Sequence, residues 1–241
     1  MNNKVLMGIV AVAILLIAGY LFLGNGATVS AIGESKIKAQ PDEVSIYLTI
    51  QNTAETAQEV QNNLSAVSDK LLLAMLKLDL AKEDVQLDSY GVNPNYVWDG
   101  RQQYQKGFSG YQSVIVKVKS FNKVSEVVDA SIGSGALVSA INFELSQDKQ
   151  NEYKAQALEA AGKDAQIKAK ATASGLGKSL GKLVSVQNNE YNYYPYRYYS
   201  YDALGAISEN AVMAKQAAVD LAPKDLEITA RIAVTYKLGW F

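Results

Sequence analysis

The sequence of 241 residues contains no histidine and no cysteine. Histidine is the commonest general base and zinc ligand, and cysteine supplies thiolate nucleophiles, so catalytic triads and metal sites built on either residue are excluded. Disulfide bonds are excluded as well, which leaves the hydrophobic core to stabilise the fold. We therefore predict no metal site, and any chemistry would depend on carboxylates, lysine, tyrosine or serine.

A strong charge of one sign is also missing. Lys4 is the only charged residue before Glu34, so the rest of the chain holds 22 of the 23 basic residues and all 24 acidic residues. A net charge near −2 does not supply the basic surface on which nucleic-acid binding depends. We predict no nucleic-acid partner.

One long apolar run is present near the N-terminus. Nineteen uncharged residues from Val5 to Leu23 would span about 28 Å as a helix, close to the thickness of the hydrocarbon core of a bilayer. The run can be a membrane anchor or the core of a secretory signal peptide that is cleaved after Ala31. It exceeds the usual signal core of about 7–15 residues, and cleavage would remove part of a predicted strand, which favours the anchor.

The anchor interpretation divides the chain into four parts. Residues 1–4 lie in the cytoplasm, residues 5–23 cross the membrane, residues 24–28 form a linker, and residues 29–241 form a domain outside the cytoplasm. The orientation follows from Lys4, because positive charge is retained on the cytoplasmic side. If the run is instead a cleaved signal peptide, the same domain is secreted.

A hairpin is predicted at the start of the domain. Val29 to Ala39 predicts one strand, and the turn at 40–43 contains Pro41, whose ring restricts the backbone. Apolar and polar residues alternate over 44–51, which predicts the second strand. We expect these two strands to pair.

A long amphipathic helix is predicted over 52–80. Its N-terminal capping box is either Asn52 with Glu55 or Thr56 with Glu59. Apolar residues follow at steps of three or four and are expected to face the core: Val60, Leu64, Val67, Leu71, Met75 and Leu78.

The remaining segments predict an α+β fold. Two strands surround a turn at 98–101, and a short helix covers about 122–132. The later segments predict a strand at 138–146, a long helix at about 149–174 that ends at Gly175, strands at 182–188 and 225–238, and a loop or frayed helix at 203–222. We expect one mostly antiparallel sheet, formed from both ends of the chain, with two long helices and one short helix packed on it.

These segments resemble the SIMPL-domain family. The similarity begins with "VSAIGESKIKAQPDEVSIYLTIQNTAETAQEV", continues through "GYQSVIVKV" and "AKATASGLGKSLGKLVSV", and closes with "LEITARIAVTYKL", so that it covers about residues 29–238 in order. The resemblance implies a periplasmic or secreted α+β protein of poorly defined activity. Some family members assemble into ring- or channel-like oligomers or are linked to stress responses, and the resemblance implies no catalytic residues. The density of tyrosine at 191–201 and the anchor depart from the family pattern.

Two patterns invite an enzymatic interpretation. "SGLGKSLGK" at 174–182 contains Gly-Lys-Ser, but Thr172 stands where a phosphate-binding loop needs glycine, and the segment ends a helix instead of beginning one. A pair of carboxylates about 5–10 Å apart would be needed to hydrolyse a glycoside. The candidates lie at predicted turns and strand edges, where solvated turn residues are the simpler interpretation: Asp42, Glu43, Asp84, Asp88 and Asp99. We predict no cofactor and no enzymatic activity.

The most unusual stretch is "EYNYYPYRYYSYD" at 190–202, with seven tyrosines in thirteen residues. Pro195 and the adjacent pairs of tyrosine break the alternation of a core strand. Tyrosine gives a large contact area at low entropic cost and keeps a polar tip, which indicates an exposed loop that contacts another protein. The alternatives are a loop that contacts carbohydrate or lipid headgroups and a mobile loop of no specific role. The contact loop comprises Tyr191, Tyr193, Tyr194, Tyr196, Arg197, Tyr198, Tyr199 and Tyr201. A second aromatic group, a candidate neighbour of this loop, comprises Tyr90, Tyr96, Trp98 and Tyr104.

Together these features predict a membrane-anchored, extracytoplasmic SIMPL-like domain. It is expected to act by self-assembly, as a homo-oligomer that can be ring-like, or by binding another protein of the cell envelope. The alternative is a cell-envelope protein that binds or cleaves carbohydrate through its carboxylates and tyrosine-rich loop. A large oligomer would favour the first function, and a deep acidic cleft beside the tyrosines would favour the second.

Overall fold

The computed structural model describes residues 26–200 and 224–239. Within them the chain forms an α+β fold of two sheets and three α-helices. The strands are β1 (Thr28–Ala39), β2 (Glu43–Ala54), β3 (Val85–Trp98), β4 (Gln103–Val118), β5 (Leu137–Glu144), β6 (Ser179–Tyr193), β7 (Tyr196–Ser200) and β8 (Leu226–Gly239). The helices are α1 (Ala57–Lys77), α2 (Val124–Ser134) and α3 (Gln147–Gly175). The predicted class, with two long helices and one short one, is confirmed.

These residues divide into two compact units, and each is assembled from separate parts of the sequence. The first unit contains residues 26–37, 152–193 and 227–239. The second unit contains residues 38–151, 194–200 and 224–226. The described residues of the region 29–241 thus form two compact units.

The first unit contains a three-stranded sheet and most of α3. The strand order is β1-β8-β6, with β8 in the middle. Alternate residues of β8 are buried, as predicted from its sequence, and Tyr236 at the end of the pattern is only partly buried. Helix α3 buries a row of alanines at intervals of four: Ala157, Ala161, Ala165, Ala169 and Ala173. It ends in a turn at Gly177, whose φ of +66° is one that glycine adopts readily.

The second unit contains a five-stranded antiparallel sheet with α1 and α2 packed on one face. The strand order is β3-β4-β2-β5-β7, so that β2 lies at the centre. Val44, Ile46, Leu48 and Ile50 of β2 are buried against the helices, as are Val114, Val116 and Val118 of β4. This is the inward face that the alternation predicted.

Helix α1 begins at one of the two predicted capping boxes. The Glu59 amide donates to the Thr56 hydroxyl (3.2 Å), and the Thr56 amide donates to the Glu59 carboxylate (3.1 Å). The alternative box at Asn52 is not formed, because Asn52 lies in β2. Four of the six predicted core positions of α1 are buried, and Val67 and Leu78 are partly buried.

The predicted hairpin of the first two strands is wrong. Both edges of β2 are occupied, because Ile46 pairs with Val116 of β4 on one side and with Ile141 of β5 on the other. Strand β1 instead pairs with β8, where the Leu238 amide donates to the Ala27 carbonyl at 2.8 Å. The expectation of one sheet is corrected for the same reason, since β1, β8 and β6 form a sheet of their own.

Two predicted segments lie outside the described residues: the apolar run at 5–23 and the loop or frayed helix at 203–222. None of the helices in the described part of the chain combines the length and the hydrophobicity needed to cross a bilayer.

Candidate functional site

The tyrosine-rich stretch lies on strands of two different sheets, so the predicted contact loop is not a loop. Its first part ends β6 and its second part forms β7. Tyr194 and Pro195 connect the strands, which explains why the alternation restarts there. Tyr201 lies outside the described residues. The members in β6 are Tyr191 and Tyr193, and those in β7 are Tyr196, Arg197, Tyr198 and Tyr199.

Tyr191 is partly buried in the first unit. Its hydroxyl oxygen is buried and has no hydrogen-bond partner among the described residues. The Lys154 ammonium lies 5.1 Å from the centroid of its ring, within the range of a cation–π contact. Burial raises the pKa of Tyr191 above its ordinary value because the ionised phenolate would be poorly solvated. The hydroxyl of Tyr191 is therefore not available to a binding partner.

Tyr196 is partly buried and packs against the core of the second unit. Its ring stacks on that of Phe143 with the centroids 6.4 Å apart, and the Lys224 ammonium lies 5.6 Å from its centroid. By contrast, Tyr194 is 73% exposed, and Arg197 is also exposed. Among the members of the predicted contact set whose side chains the structure describes, Tyr194 and Arg197 are the ones exposed to solvent.

A second group of exposed aromatic residues lies on the hairpin of β3 and β4. Strand β2 ends at Ala54, opposite Phe108, so residues 95–107 continue as a two-stranded extension, here called the aromatic ribbon. The ribbon carries large side chains that are exposed by 43–64%: Tyr96, Trp98 and Tyr104. These residues belong to the second aromatic group that the sequence indicates.

The tip of the ribbon is fixed by its turn. The Asp99 carboxylate accepts hydrogen bonds from the amides of Arg101 (2.8 Å) and Gln102 (2.9 Å). These two bonds stabilise the ionised carboxylate and hold the pKa of Asp99 below its ordinary value. Gly100 has a φ of +93°, which favours glycine at this position. The exposed aromatic residues therefore stand on an ordered hairpin.

The two aromatic groups do not adjoin each other in the second unit. Strands β3 and β7 are the opposite edges of the five-stranded sheet, with three strands between them. At the usual spacing of neighbouring strands, the edges are about 19 Å apart. Tyr194 and the ribbon are therefore separate surfaces.

The predicted carboxylate candidates mostly make local structural contacts. Asp42 accepts from the Ser146 amide and hydroxyl, both at 2.7 Å, next to the start of α3. Asp84 accepts from the Ala81 amide (3.2 Å), and Asp99 stabilises the ribbon turn. Asp88 lies at a register shift of β3. No group of three or more acidic side chains suited to a metal ion is found within residues 26–200 and 224–239.

Glu43 belongs to a polar cluster that the sequence did not identify. It is buried, pairs in register with Glu144 of β5, and lies 3.7 Å from the Lys117 ammonium. Glu144 in turn accepts from the hydroxyls of Ser45 (2.8 Å) and Tyr47 (3.4 Å). Burial, followed by the charge of Glu144, raises the pKa of Tyr47. These side chains occupy outward positions of neighbouring strands, so only the strand register brings them together.

Comparison with protein families gives one match that covers most of the chain. The model of the SIMPL family, described as "Protein of unknown function (DUF541)", matches residues 29–236.

Curated proteins with similar sequences come from several bacteria. The "26 kDa periplasmic immunogenic protein" of Brucella melitensis is 27% identical over 165 residues, which is 66% of each chain, just under two thirds of that protein's length. The protein of the same name from Brucella abortus matches equally. The "Uncharacterized protein YggE" of Escherichia coli K12 is 22% identical over 173 residues, covering 72% of this chain and 70% of the relative.

Proposed function

Since this chain belongs to the SIMPL family, we propose that it is an extracytoplasmic domain that acts by binding protein, either further copies of itself or another protein of the cell envelope. The location is inferred from the Brucella relatives, whose name describes a periplasmic protein. Attachment to the membrane through residues 5–23, or secretion after cleavage, is part of the same proposal. We infer no enzymatic activity.

The observation that carries this proposal is the aromatic ribbon. Tyr96, Trp98 and Tyr104 expose large aromatic surfaces, and aromatic residues are enriched where proteins bind each other. The ribbon is already ordered by the bonds to Asp99, so binding loses less conformational entropy than the ordering of a flexible loop would. Among the strands of residues 26–200 and 224–239, β3 is also at the edge of its sheet, and an edge strand offers backbone donors and acceptors to another chain.

Self-assembly is favoured by a second surface in the first unit. Strand β6 ends the strand order of that unit's described sheet, and Leu183, Val184 and Val186 are each 50–54% exposed. An edge strand with exposed apolar side chains is suited to pairing with another chain. A protein with two different contact surfaces can join head to tail, and such joining gives a ring when the rotation closes.

The test is the mass of the full chain in mild detergent, measured by native mass spectrometry after purification from its own membranes or envelope extract. We expect an oligomer or a complex with a co-purified envelope protein. We expect the double substitution Tyr96→Ser and Trp98→Ser to weaken the affinity of self-association or of partner binding by at least about tenfold. The matched control is Leu73→Ser on α1, which changes a residue that is 59% exposed outside the ribbon. A chain that is monomeric and without partner, or a ribbon variant that behaves like the control, would contradict the proposal.

The tyrosine-rich stretch needs a different variant. Deleting residues 191–201 would remove the end of β6 and all of β7, so a loss of binding would not distinguish contact from unfolding. Tyr194→Ser changes only the most exposed described tyrosine of the stretch. Its effect on the same mass measurement reports whether this surface contributes beside the ribbon.

A further inference from the structure

The face of the five-stranded sheet opposite α1 and α2, here called the outer face, carries an uncharged polar groove. Two neighbouring rows across β2, β4 and β3 form it: Gln51–Tyr111–Gly91 and Thr53–Ser109–Asn93. The adjacent row, Thr49–Ser113–Ser89, is also uncharged. The groove has a volume of about 560 Å³, which lies within the usual range of small-ligand sites.

Tyr111 provides a flat aromatic surface in this groove. Its ring lies against Gly91 of the neighbouring strand, because a Cβ atom at Gly91 would stand only 2.8 Å from Cε1 of the ring. Glycine at this position therefore lets the ring lie close to the backbone of β3. The side chain remains 41% exposed, so part of the ring is open to the groove.

The side chains around this ring can make hydrogen bonds but carry no charge. Gln51 and Asn93 are exposed amides, and Thr53 and Ser109 are hydroxyls, so both donors and acceptors are present. The groove at the sheet of the first unit differs, because it is lined by Glu34, Lys36 and Arg231, and Arg231 pairs with Glu34 at 2.8 Å. The groove on the outer face is therefore suited to neutral ligands, and the groove of the first unit to charged ones.

We propose that the outer-face groove binds a neutral oligosaccharide. The C–H face of a sugar ring can stack on Tyr111 while the sugar hydroxyls pair with the amides and hydroxyls around it. A charged ligand would find no opposite charge among the described residues that line the groove, and an apolar ligand would leave their polar groups unpaired at a cost in free energy. An extended peptide would add to the edge of β3 instead of lying across the groove, because β4 and β2 are each already paired with a strand on both sides.

This binding site goes beyond the proposed protein contact and uses residues outside the aromatic ribbon. The test is calorimetric titration of the full chain with cellotetraose, chitotetraose and maltotetraose, together with a heparin fragment and a neutral peptide as competitors of different chemistry. We expect at least one of the three neutral tetrasaccharides to bind. We expect Tyr111→Ala to weaken that binding by about tenfold, while Tyr111→Phe, which keeps the ring, retains it within about twofold.

Two further variants make the test specific to the groove. Gln51→Ala removes one exposed amide and is expected to weaken binding several-fold. Tyr90→Ala is the matched control, since Tyr90 is 48% exposed on β3 but lies in the row of Gln112, whose amide donates to Ser68 of α1 on the helical side. Tyr90→Ala should leave the affinity unchanged.

Several results would overturn the proposal: no binding of any neutral tetrasaccharide, binding of only the heparin fragment or the peptide, or equal losses for Tyr111→Ala and Tyr90→Ala. The Tyr111 variants are not expected to change the oligomeric mass, so failure of this inference is distinguishable from failure of the contact proposal. Circular dichroism spectra of every variant show whether the fold is retained.

Discussion

The helices of the two units pack on their sheets through side chains of very different size. In the second unit, α1 buries large side chains, among them Leu64, Leu71 and Met75, against the five-stranded sheet. In the first unit, α3 buries only alanines, and a Cβ atom on Gly33 of β1 would stand 1.9 Å from the carbonyl oxygen of Ala161. One unit is thus stabilised by bulky apolar side chains, and the other by close approach of two backbones. The second unit should be sensitive to truncation, and the first to enlargement.

The largest effect is expected from truncation in the second unit. Leu64 is fully buried in the core of that unit, so Leu64→Ala removes apolar contacts and leaves a cavity. We expect it to lower the free energy of unfolding by about 2–5 kcal/mol in chemical denaturation. Leu73→Ala, on the same helix but 59% exposed, should change it by less than about 0.5 kcal/mol. Similar losses for the two variants would mean that burial of large side chains does not determine the stability of the second unit.

The same small substitution at two glycines of the first unit tests whether the close approach of β1 and α3 matters for stability. Gly33→Ala would place a methyl group 2.4 Å from the Ala165 backbone nitrogen, so the strand or the helix must shift, and we expect a loss of about 1–3 kcal/mol. Gly162 lies within α3 with nothing within 4 Å of an added Cβ atom. Gly162→Ala should therefore stabilise the helix by up to about 1 kcal/mol.

Thermal and chemical denaturation of both glycine variants check this prediction. Because both replace hydrogen with methyl, effects of opposite sign would isolate the close contact of β1 and α3 from the general effect of glycine on the unfolded chain. Tolerance of Gly33→Ala would mean that the two backbones separate easily, and the contrast between the units would be lost.

The sequence predicts the second unit better than the first, because large buried side chains give a clearer pattern than alanines do. Leu64 and its neighbours repeat at a clear helical period, so both α1 and its buried face are predicted correctly. Alanine contrasts weakly with polar residues, so α3 is predicted as a helix without its buried row. Alternation identifies the inner face of a strand but not its neighbour, which is why the pairing of β1 with β8 was not predicted.

The candidate surfaces also show that strand pairing is not visible in the sequence. The aromatic residues of the ribbon are visible in the sequence because they are dense and lie on both sides of a turn. The outer-face groove is not visible, because Gln51, Asn93 and Tyr111 lie on three strands and meet only through the register of β2, β4 and β3. The role of Gly91 also depends on register, since it is explained by the ring of Tyr111 across the strand pair.

The smallest effect concerns one tyrosine hydroxyl in each unit. At neutral pH, Tyr47→Phe removes a long contact to Glu144 in the second unit and should destabilise the fold slightly. Tyr191→Phe removes a buried hydroxyl that has no partner among the described residues of the first unit, so it should be neutral or slightly stabilising.

At alkaline pH the two tyrosines should behave alike, because the pKa of each is raised in the folded state above an ordinary value of 10.0. The unfolded chain then loses these protons first, so their contribution to stability is present below pH 10 and is lost as the pH rises through the folded-state pKa. Each Phe variant should therefore reduce the loss of stability above pH 10 relative to the unmodified chain, as measured by denaturation at pH 9, 10 and 11. A different result would be an unchanged slope of stability against pH for Tyr191→Phe and a reduced slope for Tyr47→Phe. It would mean that the charge of Glu144, and not burial, determines how these tyrosines affect stability at alkaline pH. The two units would then differ in electrostatics as well as in packing.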